Sequence, residues 1–235
     1  MNEKKLLVTL TGEIFHPTRI YYHVYDRKSL LRVFSNLNCI AFDNVNNRWV
    51  WLYEGKTKEL KFRNSYSSIP KAQRPIVLGS FYLRKEDEAF IDLRSFERAV
   101  KAIIFFDENI PRNTAEVKDI AIINKCFEVS TKLQPNFDEF FESIDVVSNN
   151  LEAMLDKVHD MKSISNTKER FTNIMNVIEN LVKKELPEIE RFPVNYYEDG
   201  ISSLETALRV RDIVALEHWK GNKDFSILDV VKNIT

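Results

Sequence analysis

The segment from Pro75 to Phe106 (PIVLGSFYLRKEDEAFIDLRSFERAVKAIIFF) constrains the fold more than any other part of the chain. Its two apolar runs, 76–83 and 89–93, flank a purely charged stretch, a pattern that predicts a β-hairpin with an exposed turn. Gly79 inside the first run indicates a bulge or a close backbone approach. Ser95 then precedes apolar residues at helical spacing and is a favourable N-cap. The segment therefore predicts two antiparallel strands followed directly by a helix with a buried carboxyl-terminal end.

The residues around this unit predict further short strands and one more helix. Strands are predicted at 6–14, 19–25, 39–42 and 48–53, and an amphipathic helix at 29–37. Residues 117–127 fit either period, and we favour a strand. Short strands mixed with helices in this order predict an α+β domain over residues 1–135, with helices packed on a mixed or antiparallel sheet.

Residues 136–235 predict a helical region. Apolar residues recur at helical spacing in 138–147, 149–161, 166–182, 202–219 and 224–234. Pro187 and Pro193 predict a break between the third and fourth of these helices. We therefore expect a bundle-like helical layer after the α+β domain.

The two halves carry opposite charge. Residues 1–135 contain 22 Lys and Arg against 16 Asp and Glu, whereas residues 136–235 contain 12 against 19, so the net charge of −1 conceals a basic half and an acidic half. Such asymmetry predicts an anionic partner for the first half and a protein partner for the acidic helices, or docking of the two halves on each other.

Several classes of protein are disfavoured by what the sequence lacks. Five glycines in 235 residues form no Gly-rich phosphate loop, so no nucleotide cofactor is expected. Cys39 and Cys126 have no metal-ligand spacing and are predicted to be buried, reduced thiols, which is typical of a cytoplasmic protein. No apolar run reaches the ~20 residues that a membrane span needs. We expect no metal, no cofactor and no membrane.

A basic stretch with interspersed aromatic residues is the first candidate site. Residues 48–74 carry seven Lys and Arg against two Glu. Cations suit a phosphate backbone and aromatic rings suit stacked bases, so the stretch predicts contacts to DNA or RNA. The predicted contact residues are Arg48, Trp51, Lys56, Lys58, Lys61, Arg63, Tyr66, Lys71 and Arg74. The alternative is that the tryptophans are core and the lysines an ordinary surface.

A second candidate site is formed by Asp43, Glu54 and Lys56. An Asp at the end of one strand and Glu-x-Lys at the end of the next resembles the signature of PD-(D/E)xK nucleases. The resemblance implies carboxylates that hold a divalent metal and a lysine that positions or activates water. Phe42 stands where that signature has proline, and Gly55 stands where it has an apolar residue.

These patterns together lead us to expect a non-enzymatic, nucleic-acid-associated binding or adaptor protein. The enzyme alternative is the metal-dependent nuclease. The third alternative is a structural or oligomerisation subunit without nucleic-acid contact, in which the basic half docks on the acidic half.

Overall fold

A computed structural model of the chain describes residues 4–131, 137–142, 147–148 and 186–234. Within these ranges one sheet contains eight strands: β1 (Thr18–Val24), β2 (Ile40–Asp43), β3 (Arg48–Leu52), β4 (Val77–Lys85), β5 (Glu88–Leu93), β6 (Ala115–Ile123), β7 (Val147–Ser148) and β8 (Ile189–Pro193). The order across the sheet is β2-β3-β4-β5-β1-β6-β8-β7. Neighbours are antiparallel, except that β7 runs parallel to β8.

Six helices accompany the sheet in the described residues: α1 (Arg27–Asn36), α2 (Phe96–Asn109), α3 (Asp138–Phe141), α4 (Tyr196–Asp199), α5 (Ile201–Lys220) and α6 (Ile227–Ile234). The α+β class, the antiparallel sheet and the helical carboxyl-terminal region are therefore confirmed. The helices predicted at 149–161 and 166–182 lie outside the described residues. No described helix is long and apolar enough to cross a membrane.

The hairpin β4–β5 and helix α2 form the centre of the fold, as predicted. Ser95 caps α2, since its Oγ accepts a hydrogen bond from the Arg98 amide at 3.1 Å. A Cβ placed on Gly79 would lie 2.7 Å from a Leu93 methyl and 2.8 Å from an Ile91 methyl. Only glycine leaves room for these side chains, so the predicted close approach is confirmed.

Alternate residues along the strands serve two separate cores. In β1, Ile20 and Tyr22 face the large core, which also contains much of α2 as well as Leu204 and Leu208 of α5. Tyr21 faces the opposite side, where it packs against a smaller cluster that includes Phe137. This two-sided burial follows from the period-two geometry of a strand.

Three elements differ from the prediction. The helix predicted at 138–147 is the shorter α3, which ends at Phe141, and Val147 begins strand β7. The stretch 6–14 is not a continuous strand: Leu6 and Val8 form only isolated β-bridges, and the chain turns at residues 10–12, where Gly12 has a positive φ of 95°. A hydrogen bond from the Thr9 hydroxyl to the Glu13 carboxylate closes this turn. Residues 189–193, predicted as a break, form β8, which pairs with β6. Pro193 is tolerated because β7 pairs with β8 only at Glu190 and Arg191, so no described ladder hydrogen bond needs an N–H at Pro193. The sheet thus extends into the half predicted to be helical, and the division at residue 135 stays a prediction.

Candidate nucleic-acid interface

The basic segment, defined as residues 54–74, is a structured connection between β3 and β4. It contains three short 3₁₀ helices, Gly55–Glu59, Tyr66–Ser68 and Lys71–Gln73. Thr57 holds the first of them, since its hydroxyl lies 2.7 Å from the carbonyl oxygens of both Leu52 and Glu54. Phe62 and Ile69 are buried in the large core. The backbone of the segment is therefore fixed on the domain, while most of its charged side chains are exposed.

Five cations of the basic segment are exposed: Lys56, Lys58, Lys61, Arg63 and Lys71. None of the five forms an ion pair with another residue that the structure describes. Lys58 makes a different contact, with its Nζ 4.5 Å from the centroid of the Tyr66 ring. The segment therefore presents positive charge that its described surroundings do not neutralise.

Tyr66 lies among cations and holds part of the segment together. The Arg74 guanidinium lies 4.2 Å from its ring centroid, and the ring meets Tyr53 edge-on at 5.4 Å. Arg74 also donates from Nε to the Ile69 carbonyl at 3.0 Å. Arg74 is consequently half-buried and uses donors within the segment, which leaves it less free to meet a phosphate than the sequence suggested.

Arg48 is likewise engaged within the protein. Its Nε donates to Asp43 Oδ2 at 3.0 Å and its Nη1 to Ser80 Oγ at 3.2 Å. Its side chain is 25% exposed. Arg48 and Arg74 thus differ from the five exposed cations, which are the ones that can reach an external anion.

The prediction that Trp51 stacks on a base does not fit its position. Trp51 has no exposed surface, and its ring packs at 5.5 Å from Phe105 and 5.2 Å from Phe106, measured between centroids. Helix α2 covers the face of β3 to which Trp51 points. Large aromatic side chains contribute much of a core's buried area, and Trp51 makes this contribution in the core instead of lying at the surface.

The structure does not bring Asp43, Glu54 and Lys56 together. Asp43 pairs with Arg48 at the β2–β3 turn, whereas Glu54 lies beyond the other end of β3. Six residues of extended chain span roughly 20 Å, too far for two carboxylates to share one metal. Hydrogen bonds from Asn46 and Arg48 lower the pKa of Asp43 to about 2. Among the described residues, no group of three His, Cys, Asp or Glu side chains could hold a metal ion.

The cysteines agree in part with the sequence prediction. Both thiols are free, with Cys39 buried and Cys126 half-buried. Burial raises the pKa of the Cys126 thiol to about 12 and also raises that of Cys39. Thiols with raised pKa values are poor nucleophiles at neutral pH, so neither has the environment of a catalytic cysteine.

Sequence reasoning missed a buried polar network beside the basic segment. Glu13 and Arg98 form a salt bridge at 3.0 Å, and Arg98 Nη2 donates to Thr11 Oγ1 at 2.6 Å. The only signal in the sequence is the alternation Thr9-x-Thr11-x-Glu13, which looks like one face of a strand. The network matters for the site because it fixes the turn that contacts Arg63.

Comparison of the chain with protein-family models, with curated proteins and with solved structures found no significant match.

Proposed function

We propose that the protein is a non-enzymatic binding protein that contacts nucleic-acid phosphates through the basic segment. The supporting observation is the set of five exposed cations without a described ion-pair partner, carried on a backbone that buried side chains hold in place. A fixed array of cations releases condensed counterions from a polyanion without a large ordering cost of its own.

Binding through phosphates predicts weak discrimination between sequences. Trp51 is buried, so Tyr66 is the one aromatic residue of the original contact set left to meet a base. Base contacts specify sequence, whereas phosphate contacts position the protein. We expect affinity for both DNA and RNA, with the preference set by backbone spacing.

The adaptor part of the proposal assigns a protein partner to the acidic half. Residues 136–235 contain seven more acidic than basic side chains, taking 19 against 12. A region of this charge is repelled by nucleic acid, so the two halves can serve different partners.

Affinity measurements on charge-reversed variants test the proposal. Lys56, Lys61 and Lys71 are exposed and make no described side-chain contact, so their joint replacement by Glu should leave the fold intact. The matched control reverses three exposed lysines elsewhere, Lys28, Lys118 and Lys223, and changes the net charge equally. Anisotropy of a labelled oligonucleotide should show that the first variant no longer binds at moderate salt and that the control binds within a few-fold of the wild type.

Three other outcomes would redirect the assignment. Equal losses in the two variants would mean that net charge alone governs binding. Absence of binding by the wild type at low salt would favour the structural-subunit alternative. Cleavage of the oligonucleotide on adding Mg²⁺, abolished by Glu54→Ala, would support the nuclease alternative despite the separation of its carboxylates.

A further inference from the structure

A cleft of about 660 Å³ opens beside the basic segment. Its walls come from the amino-terminal turn (residues 9–16), the first half of α2, one side of α5 and Arg63 of the basic segment. Sites for small ligands usually measure ~300–1,000 Å³ and combine apolar walls with a few polar groups. The cleft has that size. The apolar part of its lining consists of Ile14, Phe96, Val100 and Leu208.

The walls of the cleft are tied to one another. The Glu13–Arg98 ion pair joins the amino-terminal turn to α2 at 3.0 Å. The His16 ring stacks on Phe96, with centroids 4.3 Å apart and planes 8° from parallel. Its Nε2 lies 3.1 Å from Asp212 Oδ1 on α5. Three separate segments are therefore held in fixed relation, which is the preorganisation that a binding site needs.

Two arginines of the lining are left without an ion-pair partner among the described residues. Lys101 pairs with Glu97 at 3.2 Å and Glu13 pairs with Arg98. The His16–Asp212 contact is a hydrogen bond at 3.1 Å, which a neutral imidazole can form without cancelling the carboxylate charge. Within the described residues, three other charged groups of the lining form no ion pair: Arg63, Arg209 and Glu205. The two unpaired guanidinium groups can bind an anionic ligand, and guanidinium suits phosphate in particular, whereas the Glu205 and Asp212 carboxylates oppose such a ligand.

Arg63 connects this cleft to the basic segment. Gly12 allows Arg63 to lie close to the amino-terminal turn, because a Cβ on Gly12 would be 3.0 Å from Arg63 Cβ and 3.3 Å from Arg63 Cδ. The next residue, Asn64, donates its backbone amide to the Thr11 carbonyl at 2.8 Å and its side-chain amide to Leu10 at 3.0 Å. The basic segment is thus fastened to the wall of the cleft at the position of its arginine.

We propose that the cleft binds one nucleoside-phosphate unit, with the phosphate contacted by Arg63 and Arg209 and the base lying against Ile14 and Val100. This inference rests on the proposed function, since it assigns a specific subsite at one end of the phosphate-binding segment. A free mononucleotide and one unit of a strand present the same chemistry, and the experiment separates them.

The first part of the test measures binding of AMP, CMP, adenosine and inorganic phosphate to the full chain by calorimetry. We expect the monophosphates to bind more tightly than adenosine or phosphate alone, because they use both the cations and the apolar wall. Arg209→Ala should weaken binding about tenfold, the usual effect of losing a charge-assisted hydrogen bond. Glu205→Gln should strengthen binding about twofold to threefold, because it removes a like charge. Arg32→Ala, an exposed arginine of α1 outside the cleft, is the matched control.

The second part uses a labelled single-stranded oligonucleotide and a variant with a filled cleft. Thr206 is exposed on the wall of the cleft, so Thr206→Trp occupies the space without burying a new group in the core. Loss of oligonucleotide affinity in Thr206→Trp and Arg209→Ala assigns the cleft to a unit of a strand. Loss of AMP binding alone in these variants assigns it to a free nucleotide. Failure of every monophosphate to bind, with unchanged oligonucleotide affinity in both variants, would overturn the inference.

The two proposals fail separately. Reversal of Lys56, Lys61 and Lys71 spares the cleft and should leave AMP binding unchanged, whereas Arg209→Ala spares these three lysines. Oligonucleotide binding that is sensitive only to the three lysines would keep the proposed function and reject the cleft. AMP binding that depends on Arg209, without any oligonucleotide binding, would keep the cleft as a nucleotide site and reject the proposed function.

Discussion

Arg98 Nε lies 3.0 Å from Glu13 Oε1 in an ion pair whose side chains are only 2% and 4% exposed. Arg98 also donates to the carbonyl oxygens of Val77 and Leu78, at 3.1 and 3.2 Å. The pair therefore joins the amino-terminal turn, strand β4 and helix α2. It fixes the wall of the cleft, and through Thr11 the end of the basic segment.

Breaking this ion pair from one side should destabilise the protein strongly. Glu13→Leu leaves the Arg98 charge buried without its partner and should lower the free energy of unfolding by about 3–5 kcal/mol. The double variant with Arg98→Met removes both charges and should recover most of that loss. Urea denaturation measures the free energy of unfolding of the wild type, Glu13→Leu and the double variant. Glu97→Ala breaks an ion pair at the surface and serves as the control, with an expected effect of about 0–1 kcal/mol. A double variant that is less stable than Glu13→Leu would contradict this account.

The same pair makes stability depend on acid pH. Burial alone would raise the pKa of Glu13, but Arg98 and hydrogen bonds from Thr11 and Thr9 outweigh it and lower the pKa below the ordinary 4.5. A carboxyl group with a lowered pKa in the folded state stabilises the protein above its unfolded pKa, and that contribution is lost as the pH falls. The wild type should therefore lose its advantage over Glu13→Gln as the pH falls below about 4.5. A constant difference between the two from neutral to strongly acid pH would refute the assignment.

The close approach at Gly79 gives a test of core packing. Gly79→Ala forces a methyl group against Leu93 and Ile91 and should cost about 1–3 kcal/mol of stability. In an Ile91→Val background the Cδ1 atom that lies 2.8 Å away is absent, so the same substitution should cost less. Denaturation of the four proteins in this double-mutant cycle gives the coupling. Equal costs in both backgrounds would mean that Ile91 does not set the constraint.

Local signals in the sequence predicted the elements that depend on neighbouring residues. The hairpin turn at Glu86 and Asp87, the cap at Ser95 and the stop at Gly221 each act within a few positions, and the structure has all three. By contrast, Glu13 and Arg98 are 85 positions apart. A charged residue in a helical pattern is normally predicted to be solvent-exposed. The burial of Arg98 could not be predicted, because it depends on the fold that places Glu13 beside it.

The candidate sites were predictable in composition but not in arrangement. The basic character of residues 54–74 was visible, and the structure leaves five of its cations exposed. The burial of Trp51 depends on which face of β3 meets α2, and the separation of Asp43 from Glu54 depends on the register of β2 with β3. The cleft could not be predicted from the sequence, because Arg209 and its neighbours on α5 are far along the chain from the rest of the lining.

Trp51 and Tyr66 should affect binding and stability differently. Trp51→Phe should leave oligonucleotide affinity unchanged, because the side chain is buried against Phe105 and Phe106. Tyr66→Leu removes the ring beside Lys58 and Arg74 and should weaken binding by a few-fold, through lost stacking and less ordered cations. Paired anisotropy and thermal-denaturation measurements check both effects. Weaker binding in Trp51→Phe at an unchanged melting temperature would contradict the core assignment.

The salt dependence of oligonucleotide binding tests the central claim most directly, because it counts phosphate contacts. The slope of the logarithm of affinity against the logarithm of salt concentration is about −0.7 per contact for a single strand. Removal of three contacts by the joint reversal of Lys56, Lys61 and Lys71 should make the slope shallower by about 2, and the Lys28, Lys118 and Lys223 control should keep the wild-type slope. A slope that the reversal of the basic segment leaves unchanged would show that its cations do not meet phosphates.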